Sequence, residues 1–335
     1  MGNMRVFIQK LFTRLCFCGK INRKHYLEDG CMNSTTTEST GAVQAAQAEG
    51  TGRKRKDMRR VRSASPMAVI TPFIMVNRVG AMNLMRDRIA VTRLEKYVNE
   101  RKANGMPNLT VMHVLIAAYV RLVSQRPAFN RFIRGQRIWT RRSVEIALTI
   151  KKEMSLESPD TVIKITLYPD ATLSDVYREF DRVINEYRSS PGGSFDDTAK
   201  VLSYIPSLVL KNAIWLLKTL DYFGLLPGFL AGVSPFHCSM FITSMASLSI
   251  PPIYHHLYDF GTCPLFISFG AKKREYKVNP DGSVYKERYM DITFACDERI
   301  CDGYYYASGL RLYKAILKDP SQLDAPPEEV LSDAE

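Results

Sequence analysis

The side chains that could transfer a proton or hold a metal ion are few in this sequence. It contains five histidines, of which only His255 and His256 are adjacent. An imidazole titrates near neutral pH, so either of these two could act as a base. No carboxylate or cysteine is paired with them, however, and Cys16 and Cys18 are too close together to form a metal pair without further ligands. The sequence therefore predicts no metal site.

The charge and the cysteines limit the class of protein. Seven scattered cysteines, an odd number, indicate free thiols in a reducing compartment. Lys and Arg number 46 against 34 Asp and Glu, which gives a formal net charge of +12, and seven of these basic residues lie within residues 53–62. That segment suits an anionic partner or is a solvated linker. Neither a zinc-binding spacing nor an RNA-binding aromatic motif accompanies it, so no specific nucleic-acid binding is predicted.

Three segments with different composition follow one another along the chain. Residues 1–56 form a basic N-terminal segment and a polar, small-residue linker that is predicted to be disordered. Residues 57–322 have the apolar patterning of one globular domain, and residues 323–335 form an acidic tail that is also predicted to be disordered. Residues 1–27 contain no acidic residue, which is compatible with an interfacial amphipathic helix or an organellar transit peptide.

Helical and strand patterns alternate through the domain and predict a mixed α/β fold with antiparallel pairing. A turn at residues 279–282, with the sequence NPDG, joins the last two strands into a hairpin. Helices are predicted at residues 84–104, 111–126, 172–188 and 304–317, and strands at residues 138–151, 162–168, 239–245, 263–278 and 284–295.

Residues 201–232 are the most apolar part of the chain. Lys211, Lys218 and Asp221 interrupt the segment, and no uncharged run reaches the roughly 18 residues that are needed to span a bilayer. Two short helices are predicted instead, either packed on the domain or lying on a membrane surface.

Three stretches in the last third of the chain resemble a known family. They read FITSM at residues 241–245, FISFG at residues 266–270 and DERICDGY at residues 297–304. In this order they resemble the Phe-Thr-Ile-Ser-Asn strand, the Ile-Leu-x-x-Gly run and the His-x-x-x-Asp-Gly motif of 2-oxoacid dehydrogenase acyltransferase catalytic domains. The CDGY letters are close to the chloramphenicol acetyltransferase version. The resemblance covers roughly 260 residues.

The resemblance implies a fold and an assembly. The expected fold is a two-layer, chloramphenicol acetyltransferase-like α/β sandwich with a mixed, partly antiparallel sheet, and the expected assembly is a homotrimer. Its active site would lie between subunits, where coenzyme A or acyl-CoA and a small-molecule or lipoyl-type acceptor meet. No lipoyl domain is recognisable in residues 1–60, so a lipoyl arm would come from another chain.

The resemblance also assigns residues to roles, with one departure. Glu298 stands at the position of the histidine base, Ser244 would stabilise the oxyanion, and Asp302 would hold the motif loop through an ion pair or by capping the helix. Gly303 would allow a tight turn. Moving a proton from a thiol to a carboxylate costs about 6 kcal/mol, whereas moving it to an imidazole costs about 3 kcal/mol. This difference lowers the expected rate by about a hundredfold or more.

Two alternatives to a catalytic Glu298 follow from this departure. Glu298 could instead form a salt bridge with Arg299 or with a neighbouring subunit, or His255 or His256 could supply a substitute base. The sequence therefore predicts an acyltransferase that moves an acyl group between coenzyme A and an unidentified acceptor. The alternative is a catalytically inactive trimeric scaffold or acyl-CoA-binding relative, with membrane association compatible with either. The expected location is the cytoplasm, with peripheral membrane association or an organelle as alternatives.

Overall fold

A computed structural model of the chain describes residues 57–151, 160–189 and 204–333. The predictions for residues 1–56 lie outside these described residues, and the domain boundaries stay a prediction. Within the described ranges, none of the helices has the length and apolar character needed to cross a membrane.

Nine strands and seven α-helices make up the described chain. The strands are β1 (Met58–Arg60), β2 (Met82–Ala90), β3 (Arg131–Arg134), β4 (Arg137–Arg141), β5 (Val144–Lys151), β6 (Asp160–Leu167), β7 (Met240–Ser244), β8 (Leu265–Val278) and β9 (Val284–Asp297). The helices are α1 (Pro66–Ile74), α2 (Thr92–Ala103), α3 (Val111–Gln125), α4 (Leu173–Ser189), α5 (Ser207–Tyr222), α6 (Gly228–Val233) and α7 (Gly303–Lys318).

A six-stranded mixed sheet organises the fold, in the order β2-β9-β8-β7-β5-β6. β7 runs parallel to both of its neighbours, β5 and β8, and the other pairs are antiparallel. Short β7 is buried because it lies in the middle of the sheet, which explains its nearly continuous apolar sequence. Its C-terminal residue, Ser244, is thereby held at the end of a central strand.

The two faces of this sheet are covered differently. On one face α3 packs against α2, α4 and α7 and contributes an almost completely buried run of side chains to the main core. Such a helix is apolar nearly all round because helices and the sheet surround it. On the other face the segment that follows β7 covers a smaller cluster that includes Phe241, Leu257 and Phe266. The sandwich and the mixed sheet expected from the sequence are confirmed.

A second, three-stranded sheet of order β1-β4-β3 carries the apolar segment α5–α6. The turn between β3 and β4 has positive φ angles at Gly135 and Gln136, and the Gln136 Oε1 atom accepts a 2.8 Å hydrogen bond from the Tyr222 hydroxyl at the end of α5. A side chain at Gly135 would meet the Tyr222 carbonyl oxygen at 2.7 Å, so only glycine permits this approach. The two short helices predicted for residues 201–232 are present where the structure describes that segment.

Three predictions from the sequence differ from the structure. The single strand predicted at residues 138–151 is two strands, β4 and β5, which belong to different sheets. The helix predicted at residues 84–104 is wrong in its first half, because β2 pairs along its whole length with β9 and the helix begins only at Thr92. Pairing with a neighbouring strand overrides the helical preference of the local sequence at such a sheet edge. The tail after residue 323 was expected to be disordered, but Asp324 accepts a hydrogen bond from the Tyr97 hydroxyl, and Asp333 pairs with Arg131.

His113 gives this fold a dependence on pH. The imidazole is buried in the first turn of α3, where its Nδ1 atom accepts a 3.0 Å hydrogen bond from the backbone N–H of Thr110. Burial lowers its pKa from 6.5 to about 4, despite the opposing charge of Asp181. The unfolded chain therefore binds the proton first as the pH falls below 6.5, so folding stability drops between pH 6.5 and pH 4.

Replacing His113→Gln is expected to flatten this dependence. A glutamine at this position still accepts from the cap residue, so the start of α3 is retained. The loss of unfolding free energy between pH 7 and pH 5 should be smaller than in wild type by about 2 kcal/mol. Urea unfolding at the two pH values measures this difference. The exposed His256→Gln is the control, and an unchanged pH dependence in His113→Gln would refute the assignment.

Candidate active site

The motif loop at residues 297–304 begins with a buried ion pair. Asp297 ends β9 with no exposed surface, and its two carboxylate oxygens accept hydrogen bonds of 2.8 Å each from Nε and Nη2 of Arg299. The Nε atom of Arg78 lies 3.4 Å from Asp297 Oδ2. One carboxylate therefore faces two guanidinium groups in the interior, which is tolerated because both arginines have further acceptors.

These arginines connect the motif loop to distant segments. Arg299 Nη1 donates to the carbonyl oxygens of Met75 and Val76, directly after α1. Arg78 Nη2 donates a 2.9 Å hydrogen bond to the carbonyl oxygen of Gly261. The position of the residue between Asp297 and Arg299 is therefore set by a bidentate ion pair rather than by a flexible loop.

That intervening residue is Glu298, which stands at the predicted histidine position. Its backbone N–H donates a 2.8 Å hydrogen bond to the carbonyl oxygen of Ala81, and its side chain is exposed. Arg299 is bound to Asp297, and among the residues that the structure describes no basic side chain forms an ion pair with Glu298. The predicted salt bridge between Glu298 and Arg299 is therefore wrong, and the carboxylate is available to a ligand.

Glu298 borders a small cavity of about 220 Å³ between β2, β9 and the start of α7. Polar and thiol side chains contribute to this cavity along with apolar ones. Its lining residues are Asn83, Leu84, Met85, Cys296, Glu298, Cys301, Gly303 and Tyr306. The Cys296 thiol is buried, and its pKa is raised by the neighbouring Cys301 thiol and by burial, so it stays protonated.

Asp302 and Gly303 start α7. The Asp302 carboxylate accepts a 2.8 Å hydrogen bond from the backbone N–H of Tyr305. Asp302 therefore caps the helix, which is one of the two roles predicted for it. The buried ion pair of this loop belongs to Asp297. Gly303 has no positive φ angle, and an added Cβ atom would meet nothing within 4 Å. The prediction that a tight turn requires glycine at position 303 is therefore wrong.

Ser244 is half-buried at the C-terminal end of β7. It lies beside Phe269 of β8, and Phe269 lies opposite Ile292 of β9. Glu298 lies six positions beyond Ile292, which at about 3.3 Å per residue places Glu298 roughly 20 Å from Ser244. The two predicted catalytic residues therefore lie at opposite ends of the sheet and do not meet within one chain.

His255 and His256 lie on the loop side of the sheet. The His255 ring stacks on Phe266 with 4.0 Å between ring centroids, and its Nδ1 atom lies 2.7 Å from the carbonyl oxygen of His256. Burial lowers the pKa of His255, against the opposing effect of the hydrogen bond to the His256 backbone. Neither histidine lines the cavity beside Glu298. Within a single chain they do not substitute for the motif histidine.

A second buried group was not predicted from the sequence. His237 Nε2 lies 3.3 Å from Asp221 Oδ2, and its Nδ1 atom lies 2.8 Å from the Ser234 hydroxyl. Burial alone would raise the pKa of Asp221, but His237 and the charge of Arg134 outweigh it, so the pKa is lowered. His237 lines a cavity of about 740 Å³ between β4, β5 and the α5–α6 segment. Asp221 lies at the end of α5 and His237 lies just before β7, and no motif recognised in the sequence links the two residues.

Metal chemistry has no candidate site in residues 57–151, 160–189 and 204–333. No group of three or more His, Cys, Asp or Glu side chains there is arranged to hold an ion.

Comparison with known proteins gives similarity in structure alone. No protein-family model matches the sequence, and no curated protein matches it either. A probable dihydrolipoamide acetyltransferase from Listeria monocytogenes aligns over 83% of this chain and 96% of its own, at 12% identity and a TM-score of 0.50. The dihydrolipoamide acetyltransferase of Azotobacter vinelandii aligns over 87% and 99%, at 13% identity and the same TM-score.

A chloramphenicol acetyltransferase aligns over 77% of this chain and 99% of its own, at 10% identity and a TM-score of 0.48. The two dihydrolipoamide acetyltransferases are covered nearly end to end. The resemblance seen in the sequence is therefore confirmed at the level of structure. The chain has the fold of these two dihydrolipoamide acetyltransferases.

Proposed function

We propose that the chain is a coenzyme A-dependent acyltransferase whose active site forms between copies of the chain, in a homotrimer. The observation that carries this proposal is the separation of Ser244 and Glu298 by roughly 20 Å within one chain. Ser244 ends β7 and Glu298 directly follows β9, and both side chains are accessible. A neighbouring copy of the chain can therefore place its Ser244 beside Glu298. Closed symmetric assembly repeats such a contact at every interface.

The related protein from Azotobacter vinelandii supports the choice of residues. It was studied for the roles of one serine, one histidine and one asparagine in its catalytic mechanism, and the histidine precedes the asparagine by four positions. Ser244, Glu298 and Asp302 occur here in the same order, with the same spacing between the last two. Asparagine and aspartate are both good helix caps, which fits the contact of Asp302 with α7.

The chemistry assigned to these groups is a single acyl transfer. Glu298 takes the proton from the acceptor thiol or hydroxyl, whose sulfur or oxygen attacks the thioester carbonyl of acyl-CoA. The Ser244 hydroxyl of the adjacent copy donates a hydrogen bond to the oxygen that becomes negative. The bond between the carbonyl carbon and the coenzyme A sulfur then breaks, and the proton passes from Glu298 to that sulfur. The acceptor is a small molecule or a lipoyl group carried by another chain.

The alternative is a trimeric scaffold or acyl-CoA-binding protein without turnover. Its support is that a carboxylate stands at the histidine position, because a carboxylate is ordinarily a weaker base than an imidazole. Both functions use the same assembly, and the expected location for both is the cytoplasm.

Thiol release from acetyl-CoA and longer acyl-CoAs, with thiol and alcohol acceptors, distinguishes the two functions. We expect turnover in the wild-type protein and its loss in Glu298→Gln and Ser244→Ala. Binding of acyl-CoA without turnover in wild type, together with turnover gained in Glu298→His, would establish the binding protein instead. Absence of both binding and turnover in wild type and in Glu298→His would contradict acyl transfer and acyl-CoA binding, and would favour the scaffold.

A further inference from the structure

The α5–α6 segment leaves large apolar side chains exposed on the side of α5 that points away from the domain. Leu208 is 72% exposed, Trp215 is 65% exposed and Phe229, in α6, is 70% exposed. This outward apolar face consists of Leu208, Val209, Trp215, Leu216, Phe223, Leu225 and Phe229. A contiguous apolar surface of this kind on a folded domain marks an interaction site.

Polar side chains on the outward apolar face bond to their own helix. The Asn212 amide donates a 2.9 Å hydrogen bond to the carbonyl oxygen of Leu208, one turn earlier, and the Thr219 hydroxyl donates at 2.9 Å to the carbonyl oxygen of Trp215. Such back-bonding satisfies the side-chain donors without water. A surface that enters an apolar medium needs this arrangement, because no water remains there to bond to polar groups.

The charges of α5 are divided between the two sides of the helix. Asp221, the single acidic residue in residues 204–233, is buried and lies 3.3 Å from the Arg134 guanidinium on the domain side. Lys211 and Lys218 are exposed at one edge of the outward apolar face. An amphipathic helix with aromatic and aliphatic side chains outward, lysines at the flank and no exposed carboxylate fits the surface of an anionic lipid bilayer.

Helix α1 adds a second apolar surface near the same hairpin. Met67, Phe73 and Ile74 are all more than half exposed, and the Thr71 hydroxyl again donates to a carbonyl oxygen one turn earlier, at 2.8 Å. Ala68, on the other side of α1, packs on β3 and β4, whose connecting turn contacts α5. Both helices are therefore attached to the β3–β4 hairpin, and no acidic residue occurs in residues 58–86.

We propose that the outward apolar face and the exposed side of α1 dock on an anionic lipid bilayer. A second copy of the chain is the other candidate occupant, but in a two-fold contact the same face would meet itself. Both copies would then bring Lys211 and Lys218 to the contact, with no exposed carboxylate of α5 to offset their repulsion. The docking is independent of the proposed acyl transfer, because none of its residues lines the cavity beside Glu298.

Flotation of the full-length protein with vesicles tests this docking. The vesicles are pure phosphatidylcholine or phosphatidylcholine with about 30% phosphatidylserine, an anionic lipid. We expect the wild-type protein to float with the anionic vesicles, and binding to weaken as salt is raised. The double variant Trp215→Glu/Leu216→Glu should lose at least about tenfold in partitioning. Lys211→Gln/Lys218→Gln should lose part of the preference for anionic vesicles.

Tyr276→Glu is the matched control, because Tyr276 is 73% exposed on the distant β8–β9 hairpin and should bind as wild type does. Absence of wild-type binding would overturn the proposal. So would unchanged binding of the Trp215→Glu/Leu216→Glu variant, which would place the contact in another part of the chain. A change in oligomeric state in that variant, with vesicle binding retained, would identify an interface between copies. Turnover of acyl-CoA without vesicles reports separately on the proposed acyl transfer.

Discussion

Glu298→Gln is expected to lower acyl-CoA turnover by about a hundredfold or more, which is the range that general base catalysis contributes. Glutamine keeps the size of the side chain and its exposed position but accepts no proton at neutral pH. Because no described basic side chain pairs with Glu298, the substitution leaves no charge unbalanced in the fold. Binding of acyl-CoA should therefore change little while kcat falls, and steady-state kinetics together with titration calorimetry separate the two quantities.

Asp302→Asn is the control for this substitution, four positions further along the same loop. Asparagine caps a helix about as well as aspartate, so α7 and the turnover should both be retained. A Glu298→Gln protein with wild-type kcat would remove the carboxylate from the mechanism.

The largest effect on stability is expected for Asp297→Asn. The substitution removes the negative charge from the contact with Arg299 and Arg78, whose side chains are almost completely buried. Removing one partner of a buried ion pair leaves an uncompensated buried charge and costs about 3–5 kcal/mol of unfolding free energy. Urea unfolding at fixed protein concentration measures the loss, since assembly makes stability depend on concentration.

Glu100→Gln is the matched control, because it breaks an exposed ion pair with Lys96 on the surface of α2. An exposed ion pair of this kind contributes about 1 kcal/mol or less to the free energy of unfolding. If both variants lost equally little stability, Asp297 would not hold the motif loop in place. Turnover in Asp297→Asn should also fall, because Glu298 lies between the two members of the pair.

The elements that the sequence predicts well are those whose patterns are local. The strands β8 and β9 and the NPDG turn between them are confirmed, as is α3, which begins at the Thr110 cap. The strand β2 was missed because its apolar residues, such as Leu84, also fit a helical spacing, and only pairing with β9 decides between the two. The small sheet of β1, β3 and β4 depends on such distant pairing as well.

The candidate site divides in the same way. Glu298, Asp302 and Ser244 were recognised because each belongs to a short stretch with fixed spacing. The contact of Arg78 with Asp297 joins residues that are far apart in the chain, and the contact of Asp221 with His237 belongs to no recognised motif, so only the folded structure reveals them. The opposite placement of Ser244 and Glu298 likewise depends on strand order and register, which the sequence does not specify residue by residue.

Mixing two inactive variants in one assembly tests most directly whether the active site is shared between copies. Glu298→Gln and Ser244→Ala chains are co-expressed in equal amounts with different tags, purified through both tags, and assayed for thiol release. If each site takes Glu298 from one copy and Ser244 from the next, one of the three sites in every mixed trimer carries both wild-type residues, and activity returns to about a third of the wild-type level. Activity no higher than in the separate variants would contradict a site shared between copies.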